Sequence, residues 1–335
     1  MHAQDLKLIL PSDGKIYYSG RVDFTDEEAV KYSWSGVNFS FVFSGKKLTL
    51  LFDDGYNDYE VFMDGKYYKT IETTTFKKKY EIFSSTTNEK HYFKIVKRTE
   101  VALGVFKGLL VDNEGKLLEN QYNPSRKFEF IGDSITCGYG IEATSPTIPN
   151  SRKYQNFTKT YAYLISEMLN ADYHVVAISG KGLVRNYGEP KDFSTDTLPF
   201  YYKRTFQGID DEWDFSKWQP DVVFIALGEN DFSTSPVPSG EKYYIAYKNF
   251  IKLIRNNYPA SKIVMICTMS GRDIYRETLK ETYLRLSKEL KDIYHFEFPL
   301  VQANEWGCDN HPNYLAHKRF AEELVEFVRI RVETN

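Results

Sequence analysis

Phe128-Glu129-Phe130-Ile131-Gly132-Asp133-Ser134 is the stretch on which the fold turns. A short apolar run breaks off at a glycine, an aspartate and a serine, the pattern of a buried strand ending in a loop. The pattern returns at Val175-Val176-Ala177-Ile178 before Ser179-Gly180-Lys181-Gly182, and at Val222-Val223-Phe224-Ile225-Ala226-Leu227 before Gly228-Glu229-Asn230-Asp231. A fourth run is Ile263-Val264-Met265-Ile266-Cys267. Amphipathic segments lie between and after them: Leu279, Tyr283, Leu286 and Leu290 share one helical face, and Phe320, Leu324, Phe327 and Val328 another. Strands alternating with helices predict a three-layer α/β/α sandwich on a parallel sheet, with chemistry at the carboxyl ends of the strands.

Upstream of the junction Asn123-Pro124-Ser125-Arg126 the period changes to two. Val37, Phe39, Phe41 and Phe43 alternate, as do Leu48, Leu50 and Phe52. Asp64-Gly65 between Tyr59–Met63 and Tyr67–Ile71 is a tight hairpin signal. His91 to Lys97 and Val101 to Val111 read as further strands, and no helical pattern interrupts them. The chain is thus expected to divide into a β-sandwich over 1–122 and an α/β domain over 123–335.

Composition excludes several classes. The chain has 335 residues, 42% hydrophobic and 27% charged, with a net charge of −3. Such a balance fits a globular chain, and no basic run tracks a phosphate backbone, so nucleic acid is not an expected partner. No apolar stretch reaches the roughly 20 residues of a membrane helix, and no membrane insertion is expected. Aromatic residues at 16% suit sheet surfaces and sugar clefts, though core filling explains most of them. Cys137, Cys267 and Cys308 lack metal-ligand spacing and are odd in number, which argues against a full disulfide framework. The start Met1-His2-Ala3-Gln4-Asp5 has no signal-like apolar region. The expected protein is a monomer without metal or cofactor, secreted or periplasmic with a leader removed, a cytoplasmic location remaining open.

The three strand-end loops and one C-terminal loop carry the candidate chemistry. Acyl transfer needs a nucleophile, a base with a pKa near neutrality and donors aimed at the oxyanion. Ser134 suits the first role. It is not flanked as Gly-x-Ser-x-Gly, so an α/β-hydrolase elbow does not apply. His311, in Cys308-Asp309-Asn310-His311-Pro312-Asn313, suits the second: Pro312 belongs in a first helical turn and keeps His311 extended on the entering loop. The Ser134 N–H, the Gly180 N–H and the Asn230 side-chain amide are the candidate oxyanion donors.

At these four residues, Ser134, Gly180, Asn230 and His311, the chain resembles the SGNH (GDSL-type) hydrolases over about residues 127–335. The upstream half, with Gly20-Arg21-Val22-Asp23 and Asp64-Gly65, makes the whole chain similar to carbohydrate esterase family 2. The resemblance implies a jelly-roll-like domain before the hydrolase domain and metal-independent removal of acetyl groups from plant-type poly- or oligosaccharides, as in acetylxylan esterases. The family pattern places Asp three residues before the histidine, where this chain has Cys308. A Ser134–His311 dyad, with the ring oriented by a backbone carbonyl or by Asp309, is the resulting expectation, and Asp309 is alternatively a substrate contact. Some relatives carry a sugar-stacking aromatic just before the histidine, where Asn310 stands here.

Ordinary structural readings compete at each position. A strand-end serine, a helix-start histidine, an Asx turn at Asn230 and a turn glycine at Gly180 are common, and only their joint occurrence lifts them. Asp133 reads as a loop-steadying acceptor, Trp306 as loop filler or a sugar contact, and His317, His174 and His295 as structural. Cys137 and Cys308 read as small packing residues. A lipid esterase or thioesterase of the same fold, and a non-catalytic carbohydrate-binding protein, are the alternative functions.

Overall fold

The computed structural model describes residues 6–100, 102–209, 211–268 and 273–333. Met1 to Asp5 and Val101 lie outside them. The chain forms two compact units, one running to Asn123 and taking in a short segment from Thr205, the other comprising Pro124–Arg204 and the chain from Asp211. Trp34 Nε1 donating to the Thr205 carbonyl at 2.7 Å ties that returning segment into the first unit.

The first unit is antiparallel: β1 (Leu6–Ile9), β2 (Tyr17–Ser19), β3 (Val30–Tyr32), β4 (Asn38–Phe52), β5 (Asp58–Met63), β6 (Lys66–Glu72), β7 (Lys79–Lys97), β8 (Gly104–Asp112) and β9 (Lys116–Leu118). Hydrogen bonds link them in the order β1-β8-β4-β7-β5-β6, with β2 and β9 on β4 and β3 on β8. Register shifts after Gly45 and Leu48 bend β4, so that its first half pairs with β2 and β9 and its second half with β8. The period-two aromatics fill the core: Phe39, Phe41 and Phe43 are buried, and Phe39 stacks on Phe106 with centroids 4.2 Å apart. Asp64 and Gly65 close the β5–β6 hairpin with φ of 52° and 77°, the left-handed pair that a two-residue turn needs.

The second unit is a three-layer α/β/α domain. Its parallel strands β10 (Arg126–Gly132), β11 (Ala171–Ala177), β12 (Val222–Ala226), β13 (Lys262–Cys267) and β14 (Ile293–Glu297) lie in the order β11-β10-β12-β13-β14. The helices are α1 (Ser134–Cys137), α2 (Tyr161–Met168), α3 (Leu198–Tyr201), α4 (Glu229–Phe232), α5 (Gly240–Asn257), α6 (Asp273–Leu286) and α7 (Tyr314–Phe327), with α2 packed on α7 and α5 on α6. Leu290 falls beyond the end of α6, and Val328 opens a wider turn after α7, so each helical face is shorter than its apolar spacing suggests. No described helix is long and apolar enough to cross a membrane.

Topology positions the site. The strand after β10 is laid on one side of it and the next on the other, which opens a crevice at the carboxyl end of β10. Gly132 is level with Ala177 and Ala226, so the three loops that follow leave the sheet at one height.

Candidate active site

Ser134 opens the one-turn helix α1. Asp133 caps it, Oδ1 accepting the Ile135 N–H at 3.0 Å, and left-handed Gly138 closes it with its N–H on the Ser134 carbonyl at 3.1 Å. Gly132 must be glycine, because a Cβ there would sit 2.0 Å from Thr136 Oγ1. The turn thus holds Ser134 at the crevice, 7% exposed.

His311 arrives from the other end of the unit. Its backbone is extended, φ −92° and ψ 155°, as a residue before proline should be. Pro312, however, does not lie in the first turn of α7: the helix begins at Tyr314, capped by Asn313 Oδ1 on the Leu315 N–H at 2.8 Å. Asn313 is the stronger cap, and Pro312 instead bridges the Trp306 backbone.

The two side chains meet. His311 Nε2 lies 2.9 Å from Ser134 Oγ, and Nδ1 lies 3.1 Å from the Asp309 main-chain carbonyl. Because a carbonyl only accepts, Nδ1 carries the proton and Nε2 is left to accept from the serine. Burial lowers the His311 pKa, opposed by the Asp309 contacts and the Cys308 backbone, which favours the neutral ring. Asp309 and Asn310 both adopt left-handed backbone, φ 48° and 57°, which turns that carbonyl back toward the ring. The Asp309 carboxylate does not reach His311; it accepts the Tyr139 O–H at 2.9 Å and the Asn150 N–H at 3.3 Å. Cys308 is fully buried beside Gly140, where a Cβ would come within 2.8 Å of its own.

The candidate donors lie on the loops that follow β10, β11 and β12. Among the described residues the N–H groups of Ser134 and Gly180 donate to no carbonyl. Gly180 has φ +80° with open space where a Cβ would be, so the left-handed backbone is what calls for glycine. Asn230 Nδ2 donates to the Lys181 carbonyl at 2.9 Å and to Asp133 Oδ2 at 3.2 Å, which ties all three strand-end loops together. Both amide hydrogens are thus engaged. Asp133 is wholly buried, and desolvation together with nearby Glu229 and Asp231 pushes its pKa up to about 8, against the Ile135 N–H that lowers it.

Sequence reasoning missed two residues. Asp231 accepts the N–H groups of Leu183, Val184 and Arg185 at 2.9, 2.6 and 2.9 Å and so fixes the loop after Gly180. Its signal was its place beside Asn230 in a buried turn. Tyr139 packs on His311 with ring centroids 4.4 Å apart; nothing in its spacing announces that contact. Of the remaining candidates, Trp306 is half-buried in the base loop. His317 is buried, accepts the Tyr161 N–H at 3.1 Å and has its pKa pushed down to about 3 by desolvation. His174 stacks on Trp218 and His295 on Tyr283, each inside a strand. No described group of His, Cys, Asp and Glu is placed to hold a metal ion.

Known proteins share this fold. Residues 18–120 match the carbohydrate esterase 2 N-terminal family and residues 130–319 the GDSL-like lipase/acylhydrolase family. The cellulase/esterase CelE of Acetivibrio thermocellus is 36% identical over 94% of this chain, which spans only 39% of that relative's length. An acetylxylan esterase/glucomannan deacetylase of Cellvibrio japonicus is 32% identical over 88% of this chain and 84% of its own. The solved family two carbohydrate esterase from Clostridium thermocellum, in complex with cellohexaose, superposes with a TM-score of 0.89 at 33% identity, covering 95% of this chain and 99% of that one. The chain belongs to family 2 of the carbohydrate esterases, with a hydrolase domain of the GDSL-like lipase/acylhydrolase type.

Proposed function

We propose that this chain is a serine O-acetyl esterase acting on plant-type poly- or oligosaccharides such as acetylated xylan or glucomannan. The observation that carries the reading is the 2.9 Å contact between Ser134 Oγ and His311 Nε2. His311 takes the Ser134 proton as Oγ attacks the acetyl carbon. The oxyanion accepts hydrogen bonds from the Ser134 and Gly180 N–H groups and from the Asn230 amide. His311 then returns the proton to the departing sugar oxygen, leaving an acetyl-enzyme. A water, deprotonated by the same nitrogen, releases acetate and restores Ser134.

The sugar side of the reading is supported by the names of the relatives, and the acyl side by the glycine and small residues around Ser134. A polymer substrate lies outside the cell, which favours a secreted or periplasmic enzyme. The test is release of acetate from p-nitrophenyl acetate, acetylated xylan and acetylated glucomannan by the wild type and by Ser134→Ala. A drop of about a thousandfold or more with an unchanged fold is expected, since the variant loses the covalent step and little packing. Activity within tenfold of wild type would remove the reading.

A further inference from the structure

We propose that Tyr139 is a positioning residue for His311, acting through Asp309 to supply the orientation that a triad carboxylate would otherwise give. Asp309 and Asn310 are consecutive non-glycine residues with left-handed backbone, a conformation that persists only where surroundings hold it. The Nδ1 contact to the Asp309 carbonyl exists only while that conformation does. The base loop hangs from the nucleophile turn by the Cys308 N–H on the Gly140 carbonyl at 3.2 Å and by the Tyr139 O–H on Asp309 Oδ2 at 2.9 Å. The Gly307 backbone is too close to the Gly140 carbonyl to admit a Cβ. Tyr139 is itself anchored, its N–H on the Ser134 carbonyl at 3.0 Å, so one turn carries both the nucleophile and the strut that fixes the base. Its ring, 4.4 Å from the imidazole centroid, bars rotation on that side.

The phenol is suited to this. Burial and the Asp309 carboxylate push its pKa up to about 12, so it stays a donor throughout any working range. The groups facing His311 are Ser134 and Tyr139 from the nucleophile turn, Asp309 and Cys308 from its own loop, and His317 from α7. Of these, Asp309 raises the His311 pKa most, through its carbonyl and its charge, and the Cys308 backbone raises it less. Releasing Asp309 therefore lowers that pKa.

The inference rests on the Ser134–His311 reading, and two measurements separate them. On p-nitrophenyl acetate, Tyr139→Phe is expected to lose about tenfold in kcat, short of the roughly hundredfold that a 1 Å misplacement costs, with KM and the thermal midpoint unchanged. The acid limb of its kcat/KM profile moves to lower pH. Asp309→Ala reproduces both effects, Asp309→Asn retains an acceptor and most of the activity, and the double variant is no worse than Asp309→Ala alone. The His311 pKa read by NMR needs no turnover and is expected to fall in Tyr139→Phe. Unchanged kcat and an unmoved pKa in that variant overturn the proposal. A wild type without turnover defeats the esterase reading, while the NMR titration still decides the positioning role.

Discussion

The main-chain carbonyl of Asp309, 3.1 Å from Nδ1, orients His311, while the carboxylate of the same residue is engaged with Tyr139. A neutral carbonyl fixes the tautomer and the ring plane but stabilises the imidazolium less than a carboxylate does. Cys308 takes no part in that contact: its side chain is buried against Gly140. Cys308→Ala is therefore expected to keep kcat within about threefold and to lose roughly 1 kcal/mol of stability through the small cavity it leaves. Cys308→Asp, which installs a carboxylate at the usual acid position, should not raise activity, because it buries a charge without a prepared partner. Steady-state kinetics and thermal midpoints of the two variants check this; a faster Cys308→Asp enzyme would contradict it.

Asn230 links the loops and is the candidate side-chain oxyanion donor, and its replacement should separate these roles. Loss of one oxyanion donor costs about 10²–10³ in kcat. Asn230→Ala is expected to fall in that range and also to leave the Lys181 carbonyl and Asp133 Oδ2 without the amide. The rate loss should exceed any change in KM, because the donor acts on charge that develops only in the transition state. A variant whose KM rises tenfold at constant kcat would assign Asn230 to ground-state binding instead.

Asp133 makes stability depend on pH. Its folded pKa, about 8, stands above the ordinary carboxylate value of 3.8 because of desolvation, then Glu229 and Asp231. The folded state holds a proton that the unfolded chain releases, so this contribution is full below about 3.8 and is lost as pH rises through about 8. Denaturant unfolding of wild type and Asp133→Asn between pH 5 and pH 9 should show the wild type losing ground to the variant as pH rises. The slope cannot exceed about 1.4 kcal/mol per pH unit for one proton. Parallel pH profiles would mean that Asp133 is ionised in the folded state.

Much of this was legible in the sequence where the signal was local. The buried strands β10 to β13 are continuous apolar runs, and the loops after three of them hold Ser134, Gly180 and Asn230 in one short motif each. β14 is legible only as a strand bordering His295, because an edge strand has an open side, and Ile293-Tyr294-His295-Phe296-Glu297 mixes polar with apolar residues accordingly. That a loop carbonyl or Asp309 orients His311 was expected from the family resemblance and holds, but which carbonyl does so has no mark in the sequence: every residue has one, and only the left-handed backbone aims that of Asp309 at His311. Tyr139 and Asp231 act through contacts 170 and about 47 positions away in sequence, which no spacing rule reaches. The segment from Thr205 that joins the first unit is likewise a tertiary event without a local mark.

Acyl selectivity is where the functional proposal is most exposed. The leaving group of a sugar acetate is bulky and polar, whereas the acyl part is one methyl beyond the carbonyl. A site for such esters pairs a small acyl pocket with an open alcohol side. The backbone around the candidate nucleophile is close-packed: Gly132 and Gly182 leave no room for a Cβ, and buried Thr136 and Cys137 follow Ser134. Each methylene that such a pocket rejects should change selectivity by about 1–3 kcal/mol, so butyrate should be turned over at least tenfold less efficiently than acetate, and octanoate barely. The effect should lie in kcat/KM, since competing substrates are discriminated by that ratio. Rates on p-nitrophenyl acetate, butyrate and octanoate measure the acyl side, and acetate release from acetylated xylan and glucomannan measures the alcohol side. A rate that climbs with chain length would favour a lipid esterase, and esterase activity with no release from any acetylated glycan would defeat the carbohydrate assignment while leaving the Ser134–His311 chemistry intact.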